Sequence, residues 1–262
     1  MAKEFNGITI PQFDLTDKVA IVTGGTKGLG YATAVTLAHF GAKVVVASRT
    51  AADCDRVAKE LNDAGFTAFA CPTDVSKVDQ IQNLVDKTVE QFGKLDVIVN
   101  NAGSAVTVNA IDMTEDQWDH VLGLDLKAVI FCAQAAAKQM IKQGTGGRII
   151  NIASMCGLVG SKAISSYCAA KAGLLNATKA LALEWGKYNI TINCICPGYF
   201  KTDINAYMFD NPGFVKNTAG ATALNRFCEM DEITSAIVWL ASDHSGYTTG
   251  SYVLMDGGTT AK

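Results

Sequence analysis

Short runs of aliphatic and β-branched residues recur along the chain, each followed by a longer stretch of helical period. The runs are Val19–Thr23, Lys43–Ser48, Thr67–Pro72, Leu95–Asn100, Arg148–Ala153, Ile190–Cys196 and Tyr252–Met255. Most are apolar at nearly every residue rather than at every second one, which predicts strands buried on both faces. Between them, Ile81, Leu84, Val85, Val89 and Phe92 repeat at spacings of three and four, as do Ile233, Ile237 and Leu240. This alternation of strand and helix predicts an α/β fold: one doubly wound parallel sheet of about seven strands with helices on both faces. Residues 1–16 precede the pattern as an extension, and residues 17–262 form the single domain. Residues 199–230 break the alternation and are expected to form a lid over a substrate.

Composition narrows the class. Charged residues make up 18% of the chain, below the ~25% usual for soluble domains. So weakly charged a surface predicts burial against other copies, and hence a homo-oligomer. The net charge is −3 and the basic residues are scattered, so no nucleic-acid partner is expected. The segment Met1–Pro11 lacks an apolar signal core, and no run of 18 apolar residues occurs, so a cytoplasmic protein without a membrane partner is expected. Eight cysteines occur without a C-x-x-C pair and read as small buried hydrophobes, with Cys194 and Cys196 on one strand face. The three histidines are far apart, and no catalytic metal site is predicted.

The first strand runs directly into Gly24-Gly25-Thr26-Lys27-Gly28-Leu29-Gly30, and a helical pattern follows. A glycine turn that opens a helix brings free backbone N–H groups and a positive dipole end to a phosphate, the dinucleotide-binding arrangement of a Rossmann-type sheet. The spacing is Gly-x3-Gly-x-Gly rather than G-x-G-x-x-G, and a plain tight turn is the alternative. At the end of the second strand, where NAD users place an acid for the ribose 2′-OH, stand Ser48, Arg49 and Thr50. With no carboxylate there and two cations, Arg49 and Lys27, in reach of a 2′-phosphate, NADP(H) is predicted over NAD(H). Asp74-Val75 follows the third strand; the Asp either accepts from an adenine amino group or caps a helix starting near Ser76. Asn101, Ala102 and Gly103 follow the fourth strand in a run that by itself marks only a turn.

Tyr167 and Lys171 lie four apart in an Ala-rich helical stretch and so share one face. A phenol is a poor base near neutrality, but an adjacent ammonium favours its phenolate, so the pair makes a proton donor and acceptor for a carbonyl or alcohol. Ser154 ends the fifth strand, at the sheet edge where open α/β sheets place their sites, positioned either to hold a substrate oxygen or to serve as a turn cap.

Taken in order, these segments resemble the short-chain dehydrogenase/reductase family over residues 16–260, closest in feel to its gluconate 5-dehydrogenase and sugar-reductase branch. The resemblance is carried by Thr23 to Gly30, Asp74-Val75, Asn100 to Gly103, Ser154, Tyr167-Cys-Ala-Ala-Lys171, Pro197-Gly198 with Thr202, and Asp256-Gly257-Gly258. It implies that Tyr167 is the general acid in carbonyl reduction and that Ser154 polarises the substrate oxygen. It also implies that Lys171 binds the nicotinamide ribose and tunes Tyr167. Pro197, Gly198 and Thr202 would hold the carboxamide end of the cofactor, with Phe200 also binding the cofactor, and the family implies a homotetramer or dimer.

One position departs from the pattern. Asp125 stands where the family normally has an Asn that contributes to a catalytic tetrad, and an ionised Asp cannot donate. Activity is expected to survive with an altered proton relay. Where that branch often has arginines after Asn-Asn-Ala-Gly, this chain has Ser104-Ala-Val-Thr107, which favours a neutral ketose, polyol or other small uncharged ketone over a sugar acid. Alternatives are a 3-oxoacyl-thioester reductase, a gluconate 5-dehydrogenase, a hydroxysteroid dehydrogenase and, in a different class, a non-catalytic NADPH sensor.

Overall fold

The computed structural model describes residues 3–6, 8–10, 13–200 and 209–261. A two-stranded antiparallel hairpin, β1 (Lys3–Phe5) and β2 (Ile8–Ile10), precedes the main sheet. The alternation then runs β3 (Val19–Thr23), α1 (Gly28–His39), β4 (Lys43–Ala47), α2 (Ala51–Asp63), β5 (Ala68–Ala70), α3 (Val78–Phe92) and β6 (Val97–Asn100). It continues through α4 (Glu115–Leu122), a π-helical turn (Gly123–Ala128), α5 (Val129–Gln143), β7 (Gly147–Ile152), α6 (Ser165–Trp185) and β8 (Ile190–Pro197). The chain closes with α7 (Pro212–Ala221), α8 (Met230–Ala241) and β9 (Tyr252–Met255).

The main sheet has seven strands in the order β5-β4-β3-β6-β7-β8-β9, and every pairing is parallel. The order reverses between β3 and β6, which leaves a crevice outside the carboxyl ends of these strands, the place where such sheets hold ligands. Register brings Thr23, Asn100 and Asn151 side by side at that edge. Alternate residues of one strand serve opposite layers: Ala20 and Val22 pack with Leu37, Ile237 and Leu240, whereas Ile21 packs with Leu84, Val85 and Met140. This two-sided burial is the reason the strands read as continuous apolar runs.

All seven predicted strands of the sheet are present, Val19–Thr23 and Tyr252–Met255 with the predicted bounds and the other five with shifted ends. The fourth begins at Val97 rather than Leu95 because a side chain has taken the polar groups of Leu95. Gln143 Oε1 accepts its N–H at 3.2 Å, and Gln143 Nε2 donates to its carbonyl at 2.7 Å. The third shortens to an edge strand, Ala68–Ala70. Between 199 and 230 the described residues include α7, whose successor α8 packs back onto α1 and the sheet. One helical run, Glu115–Gln143, is long and apolar enough to cross a membrane by length and composition, and half of its apolar window is buried inside the fold. All eight cysteines are free, six of them buried, and Cys194 and Cys196 share one core cluster beneath α6.

Candidate active site

A cleft of about 710 Å³ opens along the carboxyl edge of the sheet, from the glycine turn after β3 to the start of α6. At its first end, Gly24 has φ +62°, and a Cβ there would lie 2.9 Å from Asn101 Nδ2. A Cβ on Gly30 would overlap the Gly24 carbonyl oxygen, so only glycine lets α1 begin this close to the turn. The turn is locked to the loop after β6. Asn101 Nδ2 donates to the Thr23 and Gly24 carbonyls at 3.1 and 3.2 Å, and Thr23 Oγ1 accepts from the N–H groups of Asn101 and Ala102.

Lys27 is exposed at the N-cap of α1 and offers it no side-chain hydrogen bond. Thr26 is buried behind the turn and does not line the cleft; its carbonyl is held by Arg56 Nη2 at 3.2 Å. Ser48 and Arg49 line the cleft at the end of β4, whereas Thr50 lies outside it, exposed at the N-cap of α2. Asp74 and Val75 line the adjoining wall. Asp74 is not a helix cap, since α3 begins at Val78 behind an N-cap at Lys77. Its Oδ1 instead accepts from Ser76 N and Oγ at 3.1 and 2.7 Å, and the Ser76 hydroxyl holds the carboxyl below its usual range.

The other end gathers the proton-bearing groups. Ser154, just past β7, accepts the Cys156 N–H at 3.1 Å, and its hydroxyl faces the Tyr167 phenol and favours its ionised form. One turn along α6, Lys171 Nζ stands 5.4 Å from the centre of the Tyr167 ring and donates to the Ile152 carbonyl at 2.9 Å. Lys171 is 3% exposed and Asp125 0%, and the ammonium lies 3.1 Å from Asp125 Oδ1. Burial works against the ammonium, but the facing Asp125 carboxylate and Tyr167 outweigh it and raise its pKa. The Tyr167 phenol is also pushed up: burial is the main cause, opposed by Lys171 and reinforced by Asp125. Asp125 sits in the π-helical turn between α4 and α5, a local departure from α-helical register of the kind that often re-aims a functional side chain. Its Oδ2 accepts the Ser104 N–H at 2.9 Å.

Gly24, Lys27, Gly28, Leu29, Gly30, Asn101, Ala102, Gly103, Pro197, Gly198 and Phe200 also line this one cleft, alongside Ser154, Tyr167, Lys171 and Asp125. Thr202 lies outside the described residues. Gly198 donates its N–H to the Met255 carbonyl at 2.9 Å, and a Cβ on it would come 2.6 Å from Asp256 Cα. The Asp-Gly-Gly segment thereby shapes the floor under Pro197-Gly198. Ser104 and His120 also line the cleft, with Ser104 Oγ 3.2 Å from His120 Nε2, a contact the sequence does not announce. They are 16 residues apart in no recognisable motif. The Ile152 carbonyl is likewise a backbone group that no residue type announces.

Known proteins are similar to this chain in sequence and fold. A family model described as "Enoyl-(Acyl carrier protein) reductase" matches residues 24–260. The chain is 36% identical over 250 residues to a 2-dehydro-3-deoxy-D-gluconate 5-dehydrogenase of Escherichia coli (strain K12), covering 95% of this chain and 98% of that protein. It is 37% identical to an L-rhamnose 1-dehydrogenase (NAD(P)(+)) of Azotobacter vinelandii (strain DJ / ATCC BAA-1303), over 93% of this chain and 97% of that one. Among solved structures, a gluconate 5-dehydrogenase from Burkholderia cenocepacia J2315 in complex with NADP and tartrate superposes with a TM-score of 0.92. It is 32% identical, with 95% and 98% of the two chains covered. The chain belongs to the short-chain dehydrogenase/reductase family, as an oxidoreductase acting on CH–OH groups.

Proposed function

We propose that this protein is an NADP(H)-dependent reductase that interconverts a small ketone and its secondary alcohol, with a neutral ketose or polyol as the favoured substrate class. The observation that carries the reading is the convergence of Ser154, Tyr167 and the buried Lys171 at one end of a single cleft whose other end is a glycine-lined helix start. The residues present fit a nicotinamide dinucleotide: Gly24 and Gly30 leave a cradle that a Cβ would fill. Gly24, Gly28 and the start of α1 would hold its pyrophosphate, Asp74 its adenine end, and Lys171, Pro197 and Gly198 its nicotinamide half. When bound, that group supplies the hydride.

The protein's own part is protonic and steric. Ser154 holds the substrate oxygen beside the Tyr167 hydroxyl, and Tyr167 gives its proton to that oxygen during reduction or takes it during oxidation. Lys171 keeps its charge next to the phenol, with Ile152 O fixing the ammonium's position. Preference for NADP(H) rests on Ser48, rather than a carboxylate, following β4 and on Arg49 and Lys27 lining the same end of the cleft. A neutral substrate is favoured because, among the described lining residues, Lys27 and Arg49 lie at the cofactor end and Lys171 is already paired with Asp125. A homo-oligomer accords with the half-exposed Tyr252 and Leu254 on the edge strand β9 and with Leu183, 88% exposed on α6.

A keto-sugar-acid reading has its own support in the names of the E. coli and B. cenocepacia relatives. The test is NADPH oxidation by the purified protein across neutral ketoses, keto-sugar acids, cyclic ketones and 3-oxoacyl thioesters. The highest kcat/KM is expected among the neutral compounds. A sugar acid or thioester preferred by tenfold or more would overturn the substrate assignment, and tight NADPH binding with no turnover on any compound would support a sensor instead.

A further inference from the structure

The buried acid beside the catalytic lysine has no part in the proton transfer described above, yet it is fully enclosed and held from two sides. Asp125 Oδ2 accepts the backbone N–H of Ser104 at 2.9 Å, and Oδ1 faces Lys171 Nζ at 3.1 Å. Both oxygens meet donors or positive charge, as an ionised carboxylate requires. The fit is close on the third side as well, since a Cβ on Gly103 would lie 2.6 Å from Oδ1. The π-helical turn, the loop after β6 and α6 thus meet at this one side chain.

We propose that Asp125 is a positioning residue which, by pairing with Lys171, keeps the proton on Tyr167 and so extends carbonyl reduction to higher pH at the expense of alcohol oxidation. The inference rests on the reading of Tyr167 as the proton-transfer group.

Reduction moves a hydride to the carbonyl carbon and the phenol proton to its oxygen, so it needs Tyr167 protonated. Oxidation runs the same transfers backwards and needs the phenolate. A lone buried ammonium would favour the phenolate strongly in so dry a setting. A carboxylate in contact with that ammonium makes the pair nearly neutral as seen from the phenol, and the advantage shrinks.

The groups facing Tyr167 are few. From its own helix comes Lys171, from the π-helical turn Asp125, and from the turn after β7 the Cys156 thiol beside the Ser154 hydroxyl. Lys171 is faced in addition by the Cys194 thiol of β8. Burial pushes both thiols up, Cys194 to about 11, so neither supplies a counter-charge near neutrality. His120 lies at the cleft mouth, its Nε2 3.2 Å from Ser104 Oγ. Asp125 is therefore the counter-charge to Lys171.

The test reads Tyr167 directly, without substrate or cofactor. Tyrosinate absorbance is titrated in the wild-type protein, with Tyr167→Phe subtracted, and in Asp125→Asn, with the Asp125→Asn/Tyr167→Phe double variant subtracted. The wild-type difference is expected to titrate above free tyrosine. In Asp125→Asn the midpoint should move to lower pH, with several-fold more tyrosinate at a fixed alkaline pH. The acid limb of alcohol oxidation should move the same way, and ketone reduction should fade at lower pH than in the wild type. An unchanged or higher midpoint in Asp125→Asn overturns the proposal. If that variant does not fold, a wild-type midpoint at or below that of free tyrosine overturns it equally. Failure to find any reducible ketone would defeat the functional reading while leaving the titration to decide the role of Asp125.

Discussion

At the scale of single residues, the site works by pairing groups that would be costly alone. Lys171 is buried, and an isolated ammonium there would be strongly disfavoured. The Ile152 carbonyl and the Asp125 carboxylate make its charge tenable, and the charge in turn acts on Tyr167. Arg49 contrasts with it, being exposed and free of so confined a setting. Its proposed value lies in a charge-assisted contact to a 2′-phosphate, a class of bond worth about 1.5–3 kcal/mol. Arg49→Ala should therefore raise the Kd for NADPH about tenfold or more and leave that for NADH nearly unchanged, as read by nucleotide fluorescence titration. Equal losses for the two nucleotides would remove Arg49 from the cofactor assignment.

Which residues could be read in advance follows from how each acts. Tyr167 and Lys171 act through side chains at a fixed helical spacing, and the glycines act through the absence of a side chain next to a strand, so both leave a trace in sequence. Asp125 could be singled out as a departure, but its partner could not be named, because a helical repeat does not foretell a π-helical turn. The contact between Ser104 and His120 joins the loop after β6 to α4, which only the fold brings together. Asp74, left between adenine contact and helix cap, closes a local turn with Ser76 and still lines the cleft. Thr26 and Thr50 share their neighbours' positions in sequence, yet one turns into the protein and the other lies outside the cleft.

Elements set the distances at which these residues meet. The turn after β3 and the start of α1 approach so closely that Gly30 packs on the Gly24 carbonyl. Asn101 seals this contact from the β6 side with two amide donations. A methyl at position 30 must push α1 away from the turn. Gly30→Ala should cost about 1–3 kcal/mol in denaturant unfolding, the usual range for overpacking a tight site, and should weaken NADPH binding as well. Wild-type stability together with wild-type affinity in this variant would show that the turn has slack. The strand boundaries teach the same lesson in a different place. Apolar content extends the fourth run back to Leu95, but Gln143 from the end of α5 takes both backbone groups of that residue before the sheet can. Periodicity reports burial, and the hydrogen-bond ladder decides where a strand starts.

Across the whole molecule, strand order does the assembling. Because the strand order reverses between β3 and β6, segments from opposite halves of the sequence open at one edge. The glycine turn and Ser48 come from the first half, and Ser154, the start of α6 and Pro197 from the second. A buried chain of side-chain contacts ties the strands and α6 just beneath that edge. Asn100 Nδ2 donates to Asn151 Oδ1 at 2.9 Å, Asn151 Nδ2 donates to Thr178 Oγ1 at 3.0 Å, and Thr178 Oγ1 meets Cys194 Sγ at 3.2 Å. In a predominantly apolar core, such polar contacts fix register and hold α6 at one height over the sheet. That height decides where the Tyr167 hydroxyl stands relative to Ser154 and to the cofactor end of the cleft.

The central claim is that Tyr167 is the proton-transfer group of a nicotinamide-dependent reductase. The measurement that bears on it most directly is single-turnover NADPH oxidation by Tyr167→Phe against wild type, on the best ketone from the substrate panel, with NADPH affinity measured in parallel by fluorescence. Removing one hydroxyl should leave the affinity within a few-fold and lower the rate by roughly 10²–10⁴-fold, the usual worth of a positioned general acid. A variant that binds NADPH normally and turns over near the wild-type rate would contradict the account.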